Sequence, residues 1–167
     1  MDFGYTGYVD WNGHIYSVVG GNIQTNGVDF NMYQTAQGQT SKTNYLLLVD
    51  TELCRVGVFA GSYGQWTPIA YWPCSPGTSA TPTVKGSFTV ASKGKVFGKA
   101  GQYSCWYYTQ FYGNYLFHSV LYYPGSMTQI KDGRLGMKLS HGCVRLDINN
   151  AKWIWDTIPA GTKVYIY

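Results

Sequence analysis

The chain has 167 residues, which suits one domain of moderate size with a small appendage, and it is long enough to bury a core without metal or disulfide staples. Only 12% of the residues are charged while 17% are aromatic, so strands and stacking surfaces are favoured over helical bundles. The net charge of +4 is not gathered into a Lys/Arg run, and no apolar run reaches the ~20 residues of a membrane span, so nucleic-acid partners and a spanning helix are both excluded.

Residues 1–38 read as a unit of their own. Tyr8-Val9-Asp10-Trp11 and His14-Ile15-Tyr16-Ser17-Val18 form two short aromatic strands around Asn12-Gly13, the dipeptide of a type I′ hairpin turn. Further turns are expected at Gly20-Gly21-Asn22 and Thr25-Asn26-Gly27, and His14 reads as a solvated turn residue. The stretch resembles one unit of the aromatic, glycine-rich repeats that hold enzymes on bacterial cell walls, which implies a wall polymer as partner. An ordinary hairpin at the domain edge accounts for the same pattern.

The polar stretch Gln34 to Thr43 reads as a linker, and residues 39–167 as the second domain. Strands are expected at Tyr45–Val49, Arg55–Ala60, Gln65–Trp72, Gly86–Ala91, Ser104–Tyr112, Tyr115–Leu121 and Thr162–Tyr167. One helix follows Asp147, a good N-cap, with Ile148, Ala151, Trp155 and Ile158 on one face and Pro159 and Gly161 at its end. The expected fold is mainly β, a sandwich or barrel with a single C-terminal helix packed on it, preceded by the hairpin segment.

The sharpest chemical signal is Ser140-His141-Gly142-Cys143-Val144-Arg145-Leu146, with a second histidine upstream at His118. A cysteine and a histidine are the parts of a thiol acyl-transfer site. A free thiol has a pKa of ~8.5, so an imidazolium or basic side chain is expected to lower it, with His118, His141 and Arg145 as candidates. Gly142 permits a sharp turn, and backbone N–H groups at Cys143 and at Gly142 or His141 would hold an oxyanion. Arg145 would otherwise pair with Asp147 or Asp132. A Cys-His-His metal site from Cys143, His141 and His118, or a wall-binding module without catalysis, are the readings from other classes of function.

Ser-His-Gly-Cys followed by an apolar residue, with Phe117-His118-Ser119 upstream, is similar to the signature of the L,D-transpeptidase catalytic domain. Thr81-Pro82-Thr83-Val84-Lys85-Gly86-Ser87-Phe88, Gly133 to Leu139 and the tail from Asn150 to Val164 resemble the same family, so the likeness spans about Asn44 to Tyr167. The resemblance implies a β-rich catalytic domain acting on peptidoglycan stem peptides outside the cytoplasm, in the cell wall or secreted. The sequence shows no targeting segment. No cofactor and no metal are implied.

Cys143 would attack the peptide stem and form a thioester, and His118 would be its base. Ser119 would orient His118 through its backbone carbonyl, His141 and Gly142 would shape the oxyanion hole, and Arg145 would bind carboxylate. Ser140, Tyr122 and Tyr123 are the further substrate-binding candidates. A 3→3 cross-link results when an amine resolves the thioester, and an L,D-carboxypeptidase when water does. Carbapenem-type β-lactams would acylate the same thiol.

Two features depart from the family pattern. Arg145 stands where some members have asparagine, and His118 and Cys143 are 25 positions apart (143 − 118), longer than in compact members. Tyr122 to Lys138 is accordingly expected to be either a mobile cover over the site or a rigid connection. If any disulfide forms, Cys74–Cys105 is the expected pair, since the two flank the Pro-Ser-Gly loop region while Cys54 lies early in a strand.

Overall fold

The computed structural model describes residues 4–11 and 13–167. The chain opens with a small antiparallel sheet of β1 (Gly7–Trp11), β2 (His14–Val19) and β3 (Asn22–Ile23). The register Trp11↔His14 makes the expected two-residue hairpin. Its Asn12 and the side chain of His14 lie outside the described residues, so the expected turn type and the expected solvation of His14 do too.

Helix α1 (Phe30–Gln37) comes next, and the sequence reading had no helix there. Its Asp29 N-cap accepts from the Met32 amide at 2.9 Å, and its second carboxylate oxygen accepts from Tyr71 Oη at 2.8 Å. The expected linker Gln34 to Thr43 is therefore corrected: its first four residues are the last turn of α1. Polarity misled there, because Gln37 is fully buried. Its amide donates to the Trp66 carbonyl and accepts the Trp66 amide, both at 2.8 Å, so burial leaves neither end unpaired.

The rest of the chain builds two sheets. β4 (Tyr45–Asp50), β5 (Arg55–Ala60), β6 (Thr67–Pro73) and β7 (Gly86–Thr89) join the last strand in one. β8 (Lys93–Lys99), β9 (Tyr103–Tyr112), β10 (Tyr115–Ser119), β11 (Leu121–Tyr122), β12 (Ile130–Asp132) and β13 (Val144–Leu146) make the other. Helix α2 (Ile148–Thr157) and β14 (Lys163–Ile166) close the chain. The five-stranded sheet runs β6-β5-β4-β14-β7, and the six-stranded sheet β12-β11-β9-β10-β13 with β8 on β9. This is the mainly β architecture expected, with α2 packed on it.

Two strand pairings are parallel, β14 with β4 and β10 with β13. The second brings Phe117 beside Val144 and His118 beside Arg145, which sets the histidine strand against the cysteine motif.

The central strand β4 explains both layers. Leu47 and Val49 enter the core between the sheets, with Val56, Val58, Phe117, Val144, Leu146 and α2's Ala151, Ile154 and Ile158. Leu46 and Leu48 point the other way and pack with Tyr16, Val28, Met32, Tyr33, Ala36, Phe59 and Trp66. A strand buried on both faces reads as a continuous apolar run, as Tyr45 to Val49 does. On that second face Gly57 is needed for room, since a Cβ there would lie 2.4 Å from Met32 Sδ.

α2 is capped at both ends from outside its own apolar pattern. Asp147 accepts from the Asn149 amide at 2.8 Å. At the other end Lys93 Nζ donates to the carbonyls of Ile154, Trp155 and Ile158, placing a cation at the negative end of the helix dipole. No helix among the described residues is long and apolar enough to cross a membrane.

All four cysteines are free thiols, so the expected Cys74–Cys105 bridge is not formed. The two belong to different sheets: Cys74 follows β6 directly, and Cys105 lies on β9. The segment Tyr122 to Lys138 is stitched down along its first half. β12 pairs with β11, Gly125 N–H donates to Ser104 Oγ at 2.9 Å, and Trp106 Nε1 donates to the Ser126 carbonyl at 2.8 Å. These bonds favour the rigid connection over the cover.

Candidate active site

A pocket of about 310 Å³ opens where β10 meets the motif, and Cys143, His118, His141 and Arg145 all line it. His118 is thereby brought beside the sequence-local group His141, Cys143 and Arg145 by the β10–β13 pairing and the tight loop before β13. That loop is held from several sides. Ser140 Oγ accepts from the Gly142 amide at 3.0 Å and donates to the Cys143 carbonyl. Thr83 Oγ1 donates to the Gly142 carbonyl at 2.7 Å and accepts from the Gly77 amide at 2.9 Å. The Ser75 and Arg145 backbones exchange hydrogen bonds at 2.9 and 3.0 Å.

Gly142 has φ +124°, and a Cβ on it would lie 2.8 Å from the Tyr115 ring, so both conformation and space demand glycine. Its amide is engaged by Ser140 Oγ, so of the expected oxyanion donors the Gly142 N–H is already committed inside the loop. Ser140 itself is 2% exposed with its hydroxyl committed inside the loop. The structure thus places it under the site rather than on the pocket wall.

His118 is 4% exposed. Its Nδ1 sits 2.6 Å from the Ser119 carbonyl, which can only accept, so Nδ1 carries the proton and Nε2 holds the lone pair. The Phe97 ring stands edge-on to the imidazole at 4.9 Å and 88°. The Ser119 hydroxyl is occupied elsewhere, accepting from the Trp106 amide at 2.8 Å and donating to the Val120 carbonyl at 2.7 Å. Burial pushes the His118 pKa down to about 4; the Ser119 carbonyl opposes this, and the Arg145 charge adds to it.

Cys143 Sγ donates to the Asn114 carbonyl at 3.3 Å. Burial raises the thiol above its ordinary pKa, with a backbone hydrogen bond at Leu116 and the Arg145 charge acting against it. Of the candidates expected to lower this thiol, Arg145 acts in that direction, and burial outweighs it. The resting pair is a neutral thiol and a neutral imidazole, because a buried site penalises both charged forms.

Arg145, 8% exposed, has Asp132 as its partner at 3.4 Å. Asp147 serves instead as the α2 cap. Asp132 also takes two hydrogen bonds from the Arg134 guanidinium at 2.9 Å, which hold its carboxyl down to about 2. Tyr122 is buried and Tyr123 half-exposed, and neither lines the pocket; Leu121 does.

Five lining residues went unseen as site residues in the sequence: Phe97, Tyr103, Cys105, Asn114 and Leu121. Phe97 lies in a Lys- and Gly-rich stretch that hides β8, and Asn114 contributes through a backbone carbonyl, which no side-chain pattern marks. Among the described residues no three His, Cys, Asp or Glu side chains are grouped as a metal site, so Cys143, His118 and His141 do not form one.

A second, larger recess of about 520 Å³ lies against the N-terminal sheet, lined by Tyr8, Ile15, Ser17, Tyr33, Gln65, Trp66 and Thr67. Its described lining holds no His, Cys, Asp or Glu, so size does not mark the chemistry here.

The L,D-transpeptidase catalytic-domain model, YkuD, matches residues 44–166. YciB of Bacillus subtilis (strain 168), whose L,D-transpeptidase designation is itself provisional, is 37% identical over 94 residues. That match covers 53% of this chain and 48% of YciB, so the chain spans about half the length of this curated relative.

A fused Zn-dependent amidase/peptidase/peptidoglycan-binding domain-containing protein from Clostridium acetobutylicum ATCC 824 superposes with TM-score 0.70 at 39% identity, over 86% of this chain and 61% of that one. An L,D-transpeptidase from Mycobacterium smegmatis gives TM-score 0.58 at 20% identity, over 92% and 66%. L,D-transpeptidase 3 from Mycobacterium tuberculosis, solved with a faropenem-derived adduct, gives 0.55 at 21%, over 74% and 60%. The two mycobacterial likenesses are evidence of fold alone.

Proposed function

Since this chain belongs to the L,D-transpeptidase catalytic-domain family, we propose that it forms 3→3 peptidoglycan cross-links through a thioester on Cys143. The observation that carries the reading is the neutral His118, with Nε2 left as base, in the same pocket as the Cys143 thiol. His118 Nε2 takes the thiol proton as Sγ attacks the carbonyl of the stem's third residue. The amides of Cys143 and His141 stabilise the oxyanion, and Gly142 shapes the turn that aims them. Collapse expels the terminal D-alanine, whose amine receives the proton from His118. An amine of a second stem then attacks the thioester and gives its proton to His118, which passes it to the departing Cys143 sulfur and restores the neutral pair.

Ser119 acts by orienting the imidazole through its carbonyl, and Arg145 attracts stem carboxylate into the pocket. Neutral resting partners suit this cycle, since the proton moves only when substrate is in place. The exposed Tyr8 and Ile15 at the second recess support a wall polymer as partner of the N-terminal segment, and such a substrate lies outside the cytoplasm.

The reading is tested by mass spectrometry of products from a disaccharide-tetrapeptide. Cross-linked dimer is expected; tripeptide alone would make the protein an L,D-carboxypeptidase, and neither product would end the peptidoglycan reading.

A further inference from the structure

Three buried thiols lie outside the chemistry just described, and two of them face each other. Cys54 directly precedes β5 and Cys74 directly follows β6, strands that pair antiparallel with Arg55 opposite Pro73. One step along that register sets Cys54 opposite Cys74, and the Cys74 amide donates to the Cys54 carbonyl at 2.9 Å. Pro73, with no amide hydrogen, falls at the non-hydrogen-bonded position next to this pair, as the alternation of an antiparallel ladder requires. The bond is not returned, since the Cys74 carbonyl accepts from Gly136 and Cys54 leaves the strand with φ +55°, but one 2.9 Å N–H···O contact still keeps the two Cα atoms within about 7 Å of each other. A disulfide spans roughly 4.4–6.8 Å between Cα atoms.

Both side chains enter the same core cluster. Cys54 Sγ makes only weak donations there, to the Thr51 and Glu52 carbonyls at 3.7 and 3.9 Å. Cys105, on the other sheet, lines the pocket with Cys143 instead.

We propose that Cys54 and Cys74 are a disulfide-forming pair, closed when the protein meets a low-molecular-weight disulfide or a thiol–disulfide oxidoreductase. Cys54 reacts first, because it ends the turn whose Glu52 and Leu53 are exposed. Its thiolate attacks one sulfur of the oxidant, forming a mixed disulfide and releasing one thiolate, which takes up the Cys54 proton. Cys74 then loses its proton, attacks Cys54 Sγ and releases the second thiol. Two protein thiols give up two electrons and two protons, and one oxidant disulfide becomes two thiols.

The bond would anchor the root of the segment that braces the motif. The Cys74 carbonyl accepts from Gly136 at 2.9 Å, Ser75 exchanges hydrogen bonds with Arg145, and the Pro76 carbonyl accepts from Leu139 and Ser140.

The test uses Cys143→Ala, so that the pocket nucleophile cannot react, treated with oxidised glutathione and then alkylated under denaturing conditions. One alkylated thiol, Cys105, is expected, and trypsin should release residues 43–55 joined to residues 56–85. The linked protein should melt roughly 5–10 °C above the reduced one, a rise absent from the Cys54→Ser, Cys143→Ala double variant. Three alkylated thiols, a link through Cys105, or glutathione mixed disulfides alone would overturn the proposal. A linked protein that melts below the reduced one would overturn it too, since the bond would then form only by distorting the strands.

Discussion

The pocket around Cys143 and the recess beside the N-terminal sheet sit on opposite sides of the same strand, and they are built differently. Leu47 and Val49 of β4 pack toward the layer that carries the pocket, while Leu46 and Leu48 pack toward α1 and the small sheet. In the pocket, polar groups are held by bonds within and between elements: the Ser119 carbonyl on its strand neighbour His118, Thr83 on Gly142, and the Ser75 and Arg145 backbones on each other. In the core cluster beside the recess, rings lie against rings, as the buried Tyr16 does on the lining Tyr33 at 5.5 Å, and Tyr8 of the recess stays 74% exposed. Proton transfer needs a lone pair and a proton aimed at each other, so every backbone group around it is fixed. Adhesion to a polymer needs only exposed apolar faces, which tolerate looser construction.

The largest effect that can separate the two regions comes from the nucleophile. Cys143→Ala and Cys143→Ser should lower acylation by about 10³-fold or more while the melting profile persists, because a hydroxyl is a far weaker nucleophile than a thiolate near neutral pH. Intact mass after carbapenem treatment should show one added drug on the parent protein and none on Cys143→Ala. An adduct surviving on that variant would identify another nucleophile.

Gly142→Ala comes next. Its φ of +124° and the Tyr115 ring 2.8 Å from the added Cβ should cost about 1–3 kcal/mol and misplace the loop amides. Acylation should fall roughly 10–100-fold with the circular dichroism spectrum unchanged; parental rates would remove the loop from the oxyanion site.

The shared strand supplies a paired test. Leu47→Ala and Leu48→Ala should each lose about 2–5 kcal/mol in chemical denaturation, since both are fully buried. The comparison predicts a division of function: Leu47→Ala slows acylation, whereas Leu48→Ala leaves the acylation rate of the folded enzyme near normal. Equal slowing would mean that the two faces are one mechanical unit.

The smallest effect is on pH. His118 falls from 6.5 unfolded to about 4 folded, so between those values the unfolded chain binds the extra proton. His118 therefore contributes stability that is fully present above about pH 6.5 and is lost as pH falls to about 4. His118→Gln should flatten that part of the stability profile, and a slope that persists unchanged would assign it to other groups.

Much of the site was legible before folding was considered, for a physical reason. Ser140, Gly142 and Cys143 act within one tight loop, so their spacing in the chain is also their spacing in the molecule. The strands of the central sheet were legible likewise, because β4 and β5 are apolar enough to announce burial. Helix α1 was not, since a buried Gln37 satisfied by Trp66 looks the same in sequence as a solvated glutamine. β8 was missed because its lysines and glycines carry no apolar alternation, although Lys93 ends on α2 and Phe97 on His118.

The sequence by itself determined the candidate groups that the pocket gathers, the mainly β composition and the position of α2, all consequences of local pattern. Tertiary structure alone decided the charge state of the pair and the partners of each thiol. Whether an imidazole is neutral depends on how completely other strands shield it from water. Whether Cys74 meets Cys54 or Cys105 depends on strand register, which the chain acquires only when its sheets assemble.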